Sequence, residues 1–174
     1  MNNSIKPRRL NSLRYSDADY SEIGAYFITL CTHNREHLFG EIYVEQMQCN
    51  DFGKIVWTIW KSLPSRYPQI SIESAVVMPN HFHGIIEIVG EVHEPPLRSL
   101  RQQHPQPRRI MMIPLVVGYF KMNTAKQINI IRKTPGNPVW QRNYYYKIIE
   151  SDEEFDAIEE YILTNPLRWG LDKD

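Results

Sequence analysis

Met78-Pro79-Asn80-His81-Phe82-His83-Gly84-Ile85-Ile86-Glu87-Ile88 is the stretch on which the reading of this chain turns. Ile70 to Val77 before it is rich in β-formers, Pro79-Asn80 interrupts, and His81 to Val89 resumes an apolar run. The pattern predicts two neighbouring strands joined by a short turn. Side chains two apart on a strand share a face. His81 and His83 therefore project side by side, and Phe82 turns the opposite way, into a core. Two imidazoles on one rigid face make half of a divalent-metal site. Taken alone, a His-x-His also fits ordinary surface or capping histidines.

Working outward, Ala25 to Thr32 (AYFITLCT) reads as a first strand, with Cys31 as a small core residue. Phe39 to Ile42 continues an extended path. From Asp51 the period changes: Phe52, Ile55, Val56, Ile59 and Leu63 recur at helical spacing, with Asn50 or Asp51 as N-cap and Pro64 as a stop. Leu115 to Arg132 predicts a second helix ending before Pro135-Gly136, and Val139 to Ile149 a mixed aromatic strand or extended arm. Ser151 to Asn165 carries the clearest helix signals. Ser151-x-x-Glu154 is a capping box, the acidic first turn suits the helix dipole, and Pro166 limits continuation. The order βαββαβ plus a last helix predicts an α+β, ferredoxin-like or RRM-like antiparallel sheet with helices on one face. The other face is left for a site or a partner.

The chain has 174 residues, 42% of them hydrophobic, which suits one domain spanning 1–174. Lys+Arg and Asp+Glu are both 20, so overall charge favours no partner. Its distribution says more: Arg98, Arg101, Arg108, Arg109, Lys121, Lys126, Arg132 and Lys133 follow one another with no acid between them. Arg8, Arg9 and Arg14 make residues 1–22 a basic arm, and 91–112 reads as a mobile basic loop. A neutral chain with separated charge blocks can still present a basic surface to a polyanion. The two cysteines form no CxxC pair, and no secretory signal or membrane span is evident, so a cytoplasmic location is expected.

On the last helix Phe155, Ile158 and Ile162 form one apolar stripe, and Tyr161 and Asn165, four apart, stack beside it. They could meet the two histidines if this helix lies over the strand. Each residue alone also fits a structural role.

Here the chain resembles the single-tyrosine HUH transposases, and within them the REP-associated tyrosine transposases. GAYFITLCTHNREHLFGEI (24–42), VMPNHFHGIIEI (77–88), VWQRNYYYKII (139–149) and IEEYILTNPLRW (158–169) look like successive blocks of that family, in order and at compatible spacing. The resemblance implies that His81 and His83 bind a divalent metal, Mg²⁺ or Mn²⁺, with Asn165 as a third polar ligand and Tyr161 as the nucleophile. It also implies a ferredoxin-like fold, agreeing with the element order, and either monomers or homodimers.

A phenol with a pKa near 10 is a poor nucleophile unless helped. A metal on two imidazoles and an amide oxygen keeps most of its charge for a scissile phosphate. Attack by Tyr161 would give a 5′-phosphotyrosine and a free 3′-OH. The expected activity is a metal-dependent single-stranded DNA endonuclease and strand transferase acting on hairpin-containing DNA. The alternatives are a catalytically silent hairpin DNA- or RNA-binding protein of the same fold, and a small-molecule hydrolase with a closed pocket. Arg8, Arg9, Arg14, Arg98, Arg101, Arg108, Arg109, Lys121, Lys126 and Arg142 are candidate nucleic-acid contacts, and Tyr144 and Tyr145 candidate base-stacking rings. One of Tyr144, Tyr145 and Tyr146 is a competing nucleophile. Glu87, about 13 Å along the strand from His83 at 3.3 Å per residue, is too far to join the metal. His33 and His37 read as surface residues, or at most supports behind the ligands.

Overall fold

The computed structural model describes residues 23–90 and 112–169, in the order β1 (Gly24–Cys31), β2 (Gly40–Tyr43), β3 (Gln46–Cys49), α1 (Asp51–Arg66), β4 (Ile70–Met78), β5 (His81–Ile88), α2 (Met112–Ile131), β6 (Tyr145–Ile149) and α3 (Asp152–Arg168). The expected basic arm and the loop as far as residue 111 lie outside the described residues. A four-stranded sheet runs β4-β5-β1-β6, every neighbour antiparallel. Apart from the β2–β3 hairpin, this is the βαββαβ order with a further helix. Among the described residues no helix is long and apolar enough to cross a membrane.

Alternation along the strands divides the molecule. Tyr26, Ile28, Leu30, Phe82, Ile86 and Ile88 face α1 and α2 and pack with Val56, Trp60, Leu63, Val116 and Phe120 into the larger core. Gly84 stands on that face because the Trp60 indole lies over it. A Cβ there would come within 2.7 Å of the ring, so the close helix–sheet approach needs glycine. The opposite face carries Ala25, Phe27, Ile85 and Ile149, and α3 lays Ile162, Phe155, Ile158 and Tyr161 across them. The face expected to be open is therefore covered by the last helix. Phe82 is fully buried in the first core, which fixes the side to which His81 and His83 turn.

Several expected boundaries move. Pro64 does not stop α1, which runs to Arg66. Pro64 lies in the last turn, where its missing N–H removes one helical bond. Fully buried Leu63 holds that turn, and Tyr67 N donates to Leu63 O at 2.8 Å. Pro166 likewise lies inside α3, which continues to Arg168. The expected loop ends earlier: Met112 to Pro114 already belong to α2, with Met112 and Ile113 buried. Met47 and its neighbours form a strand that the sequence did not signal. The turn before it, Val44-Glu45, has both residues at positive φ without the usual Gly or Asn. Cys31 is half-buried at the end of β1 rather than a core residue.

Candidate active site

β5 places His81 and His83 on the α3 face, their ring centroids 4.7 Å apart. The register of the neighbouring strand sets their surroundings. Thr29 lies opposite His83 on β1, and its Oγ1 is 2.8 Å from His83 Nδ1. Phe27 stacks on the same imidazole, centroids 5.3 Å apart and 21° between planes. Burial, with His81 beside it, pushes the His83 imidazole down to about 3, so it stays neutral. A hydroxyl can accept the Nδ1 proton, which leaves Nε2 as a lone pair for a ligand.

His81 is held differently. Its Nδ1 is 2.7 Å from the Asn80 amide oxygen, and its Nε2 is 3.3 Å from the Asn165 amide oxygen. A neutral imidazole has one N–H, so it cannot donate to both. One nitrogen must confront an oxygen lone pair to lone pair. An imidazolium, a turned amide or a cation between the two atoms relieves that contact. Trp169, just past α3, stacks on His81 at 5.9 Å and 30°, and His37 tilts against the same indole at 5.3 Å. Among the described residues, His37 therefore meets the site through Trp169.

α3 delivers the other half. Ser151 caps it, its side chain accepting from Glu154 N at 3.2 Å. Glu154 reaches back to Glu150 N at 2.7 Å, one residue before the cap rather than to the cap itself. Glu154 also pairs with Lys147 of β6, and Ser74 of β4 donates to Glu159, tying the helix to both sheet edges. The apolar stripe then seats Tyr161 with its ring 5.3 Å from His83 and 6.2 Å from Phe27, edge-on to both. Asn165, one turn on, is buried against His81.

His81, His83 and Asn165 thus could offer a divalent cation two imidazole nitrogens and one amide oxygen, with positions left open. Among the described residues no cluster of three His, Cys, Asp or Glu forms a metal site. Glu87 is engaged elsewhere, accepting from Ser71 at 3.1 Å.

The structure scatters the candidate nucleic-acid contacts. Arg8, Arg9, Arg14, Arg98, Arg101, Arg108 and Arg109 lie outside the described residues. Lys121 is half-buried, and its ammonium donates to the carbonyls of Gln141 and Arg142 at 2.7 and 2.9 Å. Burial lowers its pKa. Lys126 and Arg142 are exposed. Tyr145 is exposed on the α3 face, 6.4 Å from Phe27. Tyr144 packs against the larger core and its phenol is pushed up by burial. Among the described residues, Tyr161 is the tyrosine whose ring contacts a candidate metal-binding histidine. Sequence reasoning missed Thr29, Trp169 and Arg168. Thr29 is visible only through the β1–β5 register; Arg168 and Trp169 follow Asn165 by three and four residues, in the last turn of α3 and just past it.

No protein-family model matches the chain. An uncharacterized protein of Haemophilus influenzae (strain ATCC 51907 / DSM 11121 / KW20 / Rd) is 39% identical over 175 residues, spanning 99% of this chain and 95% of its own. Among solved structures, a REP-associated tyrosine transposase bound to a REP hairpin superposes with a TM-score of 0.51 at 16% identity, over 91% of this chain and 75% of that one. A Deinococcus radiodurans R1 protein described as a candidate transposase gives 0.49 at 15% identity, over 86% of this chain and 96% of its own. At such identity the first of these likenesses establishes a shared fold.

Proposed function

We propose, for a chain that belongs to one family with the Haemophilus influenzae protein and has the fold of the REP-associated tyrosine transposases, a metal-dependent DNA strand transferase acting on hairpin-bearing single strands. One observation carries the reading. Tyr161 stands 5.3 Å ring to ring from His83, while the Asn165 oxygen one turn on faces His81 Nε2 at 3.3 Å. That places a phenol, two imidazoles and an amide oxygen in one wall of the α3 face, with His81 held between two amide oxygens.

His81, His83 and Asn165 would hold the divalent cation, Mg²⁺ or Mn²⁺. When bound it supplies positive charge for the non-bridging oxygens of a scissile phosphate. Thr29 and Asn80 fix the two rings by holding Nδ1. Phe27 and the edge of His83 hold the Tyr161 ring. The Tyr161 oxygen then bonds to phosphorus and the bond from phosphorus to the 3′ oxygen breaks. The phenolic proton passes to water, and the departing 3′ oxygen takes one up. The product is a 5′-phosphotyrosine whose bond energy lets a second 3′-OH reverse the step without ATP. Exposed Tyr145 beside Phe27 suits stacking by a base of the incoming strand.

The test uses a library of labelled oligonucleotides, each with one fixed hairpin and randomised single-stranded flanks, incubated with the full chain and Mn²⁺. The expected result is a denaturation-resistant adduct that chelator prevents. Tyr161→Phe abolishes it and keeps binding within about threefold. An adduct from the variant moves the nucleophile elsewhere, Tyr145 first. Metal-independent binding without any adduct from the wild type turns the reading into a hairpin-binding protein.

A further inference from the structure

The mechanism above leaves one active-site charge unused. Arg168 is in the last turn of α3, and its guanidinium carbon lies 5.9 Å from the centroid of the Tyr161 ring. At 3.6 residues per turn, Tyr161, Asn165 and Arg168 fall within an arc of roughly 60°. Arg168 starts two turns beyond Tyr161. Helical side chains lean toward the N-terminus, and the arginine is long enough to lie back over the phenol. Its residue is exposed, and among the described residues it pairs with no carboxylate. An arginine that merely complemented the helix dipole would need no such return path. A guanidinium is a planar fork suited to phosphate oxygens and stays charged at any working pH.

We infer that Arg168 grips the non-bridging oxygens of the scissile phosphate beside the Tyr161 hydroxyl. This rests on the strand-transfer reading and adds a second positive contact to it, on the side of the nucleophile. Nothing about the bonds made and broken changes: the Tyr161 oxygen joins phosphorus and the 3′ oxygen departs. Arg168 offsets the charge that gathers on the equatorial oxygens as this happens.

The substrate for the test is one oligonucleotide recovered from the hairpin library by its adduct with the wild type. Failure of the wild type to form any adduct overturns the strand-transfer reading and this inference with it. Given an adduct, Arg168→Gln should slow its formation roughly 100-fold, the size of losing one charge-stabilising donor. Binding of the same oligonucleotide should stay within about threefold, and Arg168→Lys should recover part of the rate. A second substrate carries a neutral methylphosphonate at the scissile position. On it the wild type and Arg168→Gln should converge, because the oxygen charge that Arg168 reads has gone. Adduct formation by Arg168→Gln within threefold of the wild type overturns the inference and leaves strand transfer standing. A full 100-fold gap persisting on the methylphosphonate also overturns it, since the arginine then acts only by holding the Tyr161 ring.

Discussion

The two faces of the sheet are built to different standards. The α1–α2 face buries Trp60, Phe39, Phe82 and Phe120 completely or nearly so, with Trp140 closing one end. Among the described residues, the α3 face has five buried apolar residues, Ala25, Phe27, Ile85, Ile149 and Ile162, with half-buried Val76, Phe155, Ile158 and Tyr161 against them. Its remaining interior is polar: His83 and Asn165 are each 5% exposed. Hydrophobic stabilisation scales with apolar area removed from water, so one face supplies most of the stability and the other spends its buried volume on imidazoles and an amide. The difference teaches that the larger apolar core and the candidate site lie on opposite faces, and that the site is complete only where α3 is seated.

Breaking the large face should cost most. Trp60→Ala removes the ring over Gly84 and its contacts with Phe82 and Phe120. The expected loss is about 3–5 kcal/mol, read as a lower urea midpoint of the whole protein. A loss below about 1 kcal/mol would mean that the two faces are less unequal than their buried residues imply.

Ile162→Ala sharpens the contrast, because it strikes the small face alone. We expect about 2–4 kcal/mol taken from the docking of α3. Amide exchange should rise along Asp152–Arg168 while β1 and β5 stay protected. Uniform loss of protection in every element would show α3 to be part of one cooperative core.

A smaller change is Ser151→Ala, which deletes the cap accepting from Glu154 N. About 1 kcal/mol is expected, again confined to α3 exchange and accompanied by slower adduct formation.

The gentlest probe is acid. Lys147, by hydrogen bond, holds the Glu154 carboxyl below the usual carboxylate range, and the helix-start N–H and Ser151 do so for Glu153. Groups with folded values below their unfolded ones stabilise the fold above about pH 4.3 and cease to do so as pH falls through the folded values. Glu153 is exposed and Glu154 only partly covered, so the effect is small. Between pH 5 and 3, α3 amides should lose protection before β5 amides, and Glu154→Gln should flatten that dependence. Equal pH response in the two elements would contradict it.

Much of the architecture was legible because hydrophobic period and cap chemistry are local. The alternation through His81-Phe82-His83 turned Phe82 into a core, and the structure makes it the larger one. The stripe Phe155, Ile158, Ile162 with Ser151 in front located α3 and put Tyr161 and Asn165 on adjoining positions. The errors were of another kind. Pro64 and Pro166 remain helical because buried Leu63 and the seated Ile162 and Asn165 outweigh one absent hydrogen bond. The β2–β3 hairpin escaped because Val44-Glu45 occupies a turn normally announced by Asn-Gly.

Spacing on one strand and one helix therefore determined, from sequence alone, that two imidazoles would share a face and that a tyrosine and a carboxamide would stand one turn apart. Only the tertiary structure decided that these pairs meet. The β1–β5 register set Thr29 opposite His83, α3 crossed to the face the other helices leave, and its last turn returned Arg168 over Tyr161. Periodicity is a property of neighbours in the chain, whereas the choice of face and register depends on apolar area buried between segments more than fifty residues apart.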